Sequence, residues 1–135
     1  MKLLRINHLG IASPTLDEAT ARMGKLFGME CEHVEDVASQ KVKTGFFSVG
    51  VSNLEYLEAT DPASPIAKFL EKKGPGIHHV AFEVDDVDAA VQELLAKGVR
   101  MIDQEPRAGA HGARIAFIHP AETGGVLMEL CQSGH

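Results

Sequence analysis

The sequence predicts an α+β fold assembled from two copies of one βαβββ unit. Three observations carry this reading. A strand–helix–glycine segment occurs twice, a hairpin follows each copy, and four polar residues fall at matched positions in the two copies.

The first strand is INHLGIAS from Ile6, where His8, Gly10 and Ala12 share one face and Leu9 and Ile11 the other. A Pro-containing turn leads to LDEATARMGKLFGMEC. There Leu16, Thr20, Met23 and Phe27 form a helical stripe, Gly28 supplies the stop, and a strand is expected directly after it. KVKTGFFSVG and SNLEYLEA read as a hairpin with its turn over Gly50 to Asn53. The stretch TDPASPIAKFLEKKGPG then reads as a linker helix, started by Ser64 and Pro65 and stopped at Lys72-Lys73-Gly74.

The second copy opens with IHHVAFEV, where His79 and Ala81 share a face opposite Val80, Phe82 and Val84. This parity selects His79 over His78 as the inward-facing residue. VDAAVQELLAKGVRMI follows: Val87, Val91, Leu94 and Leu95 make the stripe, Asp85 or Asp86 caps the start, Gly98 ends the helix, and VRMI is expected as a strand. GARIAFIHP and GGVLMELCQ form the last hairpin around a turn from Pro120 to Gly125. The domain organisation that results is a single domain over residues 1–135, with module one at 1–60, the linker helix at 61–75 and module two at 76–135.

Laying one copy on the other puts His8 on His79 (79 − 8 = 71) and Glu55 on Glu129 (129 − 55 = 74). One strand histidine is ordinarily a structural residue, and one strand glutamate ordinarily a solvated one. Four of them at equivalent places point to a metal or catalytic site. Two imidazoles and two carboxylates suit a divalent ion such as Co, Mn, Ni, Fe or Zn, and leave two positions open on an octahedral ion.

With 135 residues, 44% hydrophobic and 24% charged, the chain suits one globular domain. A net charge of −6 argues against a nucleic-acid partner. The beginning of the chain has neither signal-peptide nor transit-peptide character, and no apolar run is long enough for a membrane span, so the expected location is cytoplasmic. Cys31 and Cys131 fit no disulfide framework.

NHLGIAS, QKVKTGFFSVG, LEYLEAT, SPIAKFLEKKGPGIHHVAFEVDD, EPRAGAHGARIAFIHP and GGVLMEL together cover nearly the whole chain. In them the sequence resembles the vicinal oxygen chelate (glyoxalase/bleomycin resistance/dioxygenase) superfamily, and within it the methylmalonyl-CoA epimerases. The resemblance implies that the two modules pair into a mixed, largely antiparallel, eight-stranded curved sheet around a central metal site, with the helices outside. It implies that His8, Glu55, His79 and Glu129 bind one divalent ion per chain, cobalt ahead of manganese, nickel and zinc, with Glu55 standing where some relatives carry Gln.

The implied reaction interconverts (R)- and (S)-methylmalonyl-CoA by removing and returning the C2 proton, with Glu129 as one proton-transfer group. Where some relatives have a second glutamate this chain has Thr44, a poor base at neutral pH. The implied partners are methylmalonyl-CoA and a second copy of the chain in a homodimer. The alternatives are a glyoxalase I, which shares the ligand set, and a metal-free small-molecule-binding member of the same fold, which the four ligand-type residues disfavour. Arg107, His111 and Arg114 in a Gly-rich loop, and Lys68, Lys72 and Lys73 on the linker helix, are read as either substrate contacts or solvated surface; His119 is read as a turn residue.

Overall fold

The computed structural model describes residues 1–134. Its elements run β1 (Arg5–Ala12), α1 (Leu16–Phe27), β2 (His33–Val37), β3 (Val42–Val49), β4 (Ser52–Ala59), α2 (Pro65–Lys73), β5 (Gly76–Glu83), α3 (Val87–Ala96), β6 (Arg107–Ala108), β7 (Arg114–Ile118) and β8 (Met128–Gln132). The strands hydrogen-bond in the order β2-β3-β4-β1-β5-β8-β7-β6, a mixed eight-stranded sheet. β5 and β8 are parallel, while β2/β3, β3/β4, β6/β7 and β7/β8 are antiparallel. The chain divides into two compact units, Leu9–His78 and Met1–His8 with everything from His79 onward.

In the Leu9–His78 unit, α1 begins where the Thr15 hydroxyl accepts from the Glu18 amide and the Glu58 carboxylate accepts from the Leu16 amide at 2.7 Å. It ends at Gly28, whose φ of 64° is the left-handed conformation that terminates helices. Leu16, Ala19 and Met23 form the buried seam against Phe47 and Tyr56, whose rings meet edge to face at 5.5 Å. The seam therefore differs from the expected stripe. Ala19 replaces Thr20 because a side chain of one carbon lets the helix close on the sheet, and Phe27, the final helical residue, is 67% exposed. The strand expected immediately after Gly28 starts later, at His33. β3 and β4 turn at Gly50-Val51, with Gly50 at φ 60°. α2 starts with the Ser64 hydroxyl accepting from the Ile66 amide and stops at Gly74, as its sequence signals require.

In the other unit, the Asp86 carboxylate caps α3 by accepting from the Ala89 amide, and the Gln132 side-chain oxygen accepts from the Val87 amide. Val87, Ala90 and Val91 pack with Val84, Met101, Ala116 and Leu130, joined by Phe82, Leu94 and Leu95. The strand expected at VRMI is reduced to a single bridge, Met101 to Ile118, and the edge pairing moves to the two residues of β6. The Asp103 carboxylate explains the break: it accepts the Phe117 amide at 2.8 Å, a bond that a strand would take with its backbone, and Pro106 has no amide to give. Between β7 and β8 the turn is built from one 3-10 turn, Pro120–Glu122, and the positive-φ glycines Gly124 and Gly125. Among the described residues no helix is long and apolar enough to cross a membrane.

Candidate metal centre

His8 comes from β1, His79 from β5 and Glu129 from β8, and all three lie in the unit that joins the start of the chain to its second half. Strand alternation aims them. On β5, Phe82 packs with α3, while Ala81, two residues from His79, packs with Ile115, Phe117 and Cys131 on the opposite face. Ala81 is also the cross-strand partner of Glu129 in the parallel β5/β8 register, and Phe117 is the partner of Glu129 in β7/β8. Ala81 is fully buried and has almost no side chain, which leaves room for the carboxylate beside the imidazoles. The histidine face is exposed at its start, at Ile6, and closes to burial at His8.

The Nε2 atoms of His8 and His79 are 3.1 Å apart. Glu129 reaches both rings, with Oε2 3.4 Å from His8 Nε2 and Oε1 3.8 Å from His79 Nε2. His8, His79 and Glu129 are 6%, 4% and 3% exposed, so the group is almost entirely removed from water. Burial pushes the His8 imidazole down to about 4, which keeps the ring neutral near pH 7 and its lone pair available. The His79 and Phe117 rings meet edge to face with their centroids 5.3 Å apart, and the Arg107 guanidinium lies over the Phe117 ring at 5.7 Å.

These distances test whether a cation fits. Two ligand atoms about 2.1 Å from one ion and at right angles to each other lie about 3 Å apart, and at tetrahedral angles about 3.4 Å. The observed 3.1 and 3.4 Å match separations of neighbouring ligands around one ion, and the third distance, 3.8 Å, is a few tenths of an ångström wider. Two imidazole nitrogens with one carboxylate suit a divalent transition ion or zinc. The donor set and its spacing therefore suit a divalent metal ion.

Glu55 lies in the Leu9–His78 unit, on β4, and is 8% exposed. Burial, and then the negative charge of Glu35, push its carboxyl up to about 8. The β2/β3/β4 register places His33, Phe46 and Glu55 in one row and Glu35, Thr44 and Leu57 in the next row of the same face. Thr44, 2% exposed, is thus flanked by an acidic residue on the neighbouring strand. The sequence reading missed Glu35, because its relation to Thr44 and Glu55 exists only in strand register.

Five of the other singled-out residues, His78, Lys73, Arg107, Arg114 and His119, have structural partners. His78 meets the Phe69 ring of α2 at 5.1 Å, and burial followed by the nearby Lys73 charge lowers it to about 4. Lys73 itself lies over the Phe69 ring. Arg107 pairs with Asp103 at 3.1 Å and Arg114 with Asp88 at 2.8 Å. His119 is a turn residue, its Nδ1 accepting from the Ala121 amide, as expected. Cys131 is buried in an apolar cluster, and neither it nor Cys31 forms a disulfide.

Comparison with known proteins gives this arrangement a context. Residues 7–117 match the family described as the Glyoxalase/Bleomycin resistance protein/Dioxygenase superfamily. An uncharacterized protein of Bacillus subtilis (strain 168) is 43% identical over 128 residues, covering 95% of this chain and 91% of that one. The mitochondrial methylmalonyl-CoA epimerase of Homo sapiens is 38% identical over 130 residues, covering 96% of this chain and 74% of the relative. A solved structure of a Streptomyces coelicolor methylmalonyl-CoA epimerase variant, in complex with 2-nitronate-propionyl-CoA, is similar with a TM-score of 0.93 and 40% identity over 98% of this chain and 96% of that one.

Proposed function

The chain belongs to the glyoxalase/bleomycin resistance protein/dioxygenase superfamily, and from that premise we propose that it is a methylmalonyl-CoA epimerase, an isomerase that interconverts the (R) and (S) forms of its substrate. The observation that carries the proposal is the likeness, at about 40% identity and over nearly the whole of both chains, to an epimerase that holds a CoA ligand.

In this reading His8, His79 and Glu129 hold the ion. Glu55 is the fourth ligand on the sequence repeat that pairs it with Glu129. The ion is cobalt, with manganese, nickel or zinc as substitutes. When bound, it supplies Lewis-acid stabilisation of the negative charge that develops as the C2 proton leaves. The chain's own residues do the rest. Neutral His8 presents a lone pair without first losing a proton. Glu129, which reaches both imidazoles, exchanges the C2 proton at a carboxylate oxygen on one face of the enolate, and a second group exchanges it on the opposite face, so that the configuration at C2 changes. The apolar layer of Ala81, Ile115, Phe117 and Cys131 excludes water from one side of the carboxylate. The protein acts in the cytoplasm as a homodimer.

Incubation with methylmalonyl-CoA in heavy water tests the proposal. Deuterium entering C2, with no turnover of the hemithioacetal of methylglyoxal and glutathione, is the expected result. Turnover of the hemithioacetal alone would make the chain a glyoxalase, and loss of all exchange on chelation, restored by cobalt, ties the activity to the ion.

A further inference from the structure

Behind His8 lies a hydrogen-bonded chain that the proposed reaction does not use directly. Glu83, the last residue of β5, accepts at Oε1 from Arg5 at 2.9 Å, from the Asn7 side chain at 3.0 Å and from the Ser133 hydroxyl at 2.8 Å. A carboxylate only accepts, so the Asn7 atom facing it must be the amide nitrogen. That fixes the orientation of the Asn7 amide and turns its oxygen to His8, where Oδ1 lies 2.8 Å from Nδ1. An amide oxygen accepts, so Nδ1 carries the hydrogen. A neutral imidazole with hydrogen on Nδ1 has its lone pair on Nε2, the atom that faces His79 and Glu129.

We propose that Asn7 is a positioning residue that holds His8 in the tautomer able to bind a metal at Nε2, and that Glu83 acts through Asn7 by fixing the orientation of its amide. The proposal deepens the reading of His8 as a ligand and rests on it. Arg5 and Ser133 keep Glu83 in place from the two sides of the sequence, so one end of the second module and the first strand of the chain share the task. A strand histidine with no such acceptor at Nδ1 divides between two tautomers, and in one of them the nitrogen needed by the metal is blocked by a hydrogen. Partners of this kind behind a ligand histidine contribute about 10- to 100-fold in metal affinity.

The test reads the metal-free protein first. With histidine labelled by nitrogen-15, long-range proton–nitrogen correlation spectra report which ring nitrogen of His8 is protonated. The expected result is a protonated Nδ1 and a bare Nε2 in the wild type, and a mixture of tautomers in Asn7→Ala. Cobalt affinity, measured by competition with a chelating dye, should fall about 10- to 100-fold in the same variant. The double variant Asn7→Asp/Glu83→Gln keeps an acceptor towards His8 and a side-chain amide donor towards position 7, and should restore both the tautomer and most of the affinity. An unchanged His8 tautomer in Asn7→Ala, or cobalt affinity within twofold of wild type, would overturn the proposal. A wild type that shows the expected tautomer and binds no cobalt would instead overturn the reading of His8 as a ligand, so the two failures are distinct.

Discussion

The Nε2 atoms of His8 and His79 face each other at 3.1 Å although 71 residues separate them in the chain. Two buried nitrogens at that separation are held together by a shared hydrogen or by a shared cation, and the cation is the stronger tie. Cobalt at 100 times its dissociation constant should stabilise the metal-free protein by about 2.7 kcal/mol, the value mass action sets for a ligand that binds only the folded state. His79→Ala should abolish that gain. Thermal melts with and without cobalt decide it, and an unchanged melting temperature in the wild type would rule out a metal site in this unit.

The pH dependence of stability in the metal-free protein should pass through a maximum near 6.5. His8 and His78 are lowered from 6.5 to about 4, so the unfolded chain binds protons that the folded one does not. Their contribution is complete above 6.5 and is lost as pH falls towards 4. Glu55 is raised from 4.5 to about 8, so here the folded state binds the proton more tightly, and its contribution is complete below 4.5 and lost as pH rises to 8. Between 4.5 and 6.5 two histidines outweigh one glutamate. Above 6.5, of these three groups, Glu55 alone acts, at about 1.4 kcal/mol per pH unit. Urea unfolding at intervals from pH 5 to 8.5 should show the decline in the wild type and its loss in Glu55→Gln.

Glu35→Gln should lower the Glu55 pKa. The Glu35 charge is the second cause of its elevation, after burial, so removing the charge leaves burial alone to act. Carboxyl carbon shifts followed through a titration of the metal-free protein give the answer. A Glu55 midpoint that stays in place would show that the two carboxyls do not interact.

Glu129→Gln should lower epimerase turnover by about 10²- to 10⁴-fold, because an amide neither takes nor returns the C2 proton. Thr44→Ala should leave turnover within roughly a factor of three, since a hydroxyl is no base near neutral pH. Comparable turnover in wild type and Glu129→Gln would remove Glu129 from the proton transfer. A loss at Thr44→Ala as deep as that at Glu129→Gln would give Thr44 a direct part in it.

The repeat was legible because each element announces itself locally. Ser64-Pro65, Asp86, Gly28 and Gly74 are end signals that act within a few residues, and the helices start and stop where those signals stand. His79 was separable from His78 because parity on a strand is also local, and the structure gives the first to Glu129 and the second to Phe69. What escaped the sequence depends on register or on competition. Phe27 carries a helical spacing and is exposed, because Ala19 forms the seam. VRMI has strand composition, but the Asp103 side chain takes the amide of the adjacent strand. Glu35 and Asn7 became visible only when strand pairing and amide orientation were known, since neither stands at a position the repeat marks.

The parallel pairing of β5 with β8 has a kinetic meaning. Parallel neighbours need a long crossover, and here it carries α3 and β7 before Glu129 arrives beside Ala81. The three proposed ligand residues stand at 8, 79 and 129, so closing the group joins points 71 and 50 residues apart (79 − 8 = 71; 129 − 79 = 50). Contacts of such long range form late, after the loops between them have closed. An ion can lodge only in a chain that has finished folding, and it can leave only as that closure opens. Its rate of escape is a clock for unfolding, one that a weakened α3 core, on the sheet face opposite the ligand residues, would make run faster.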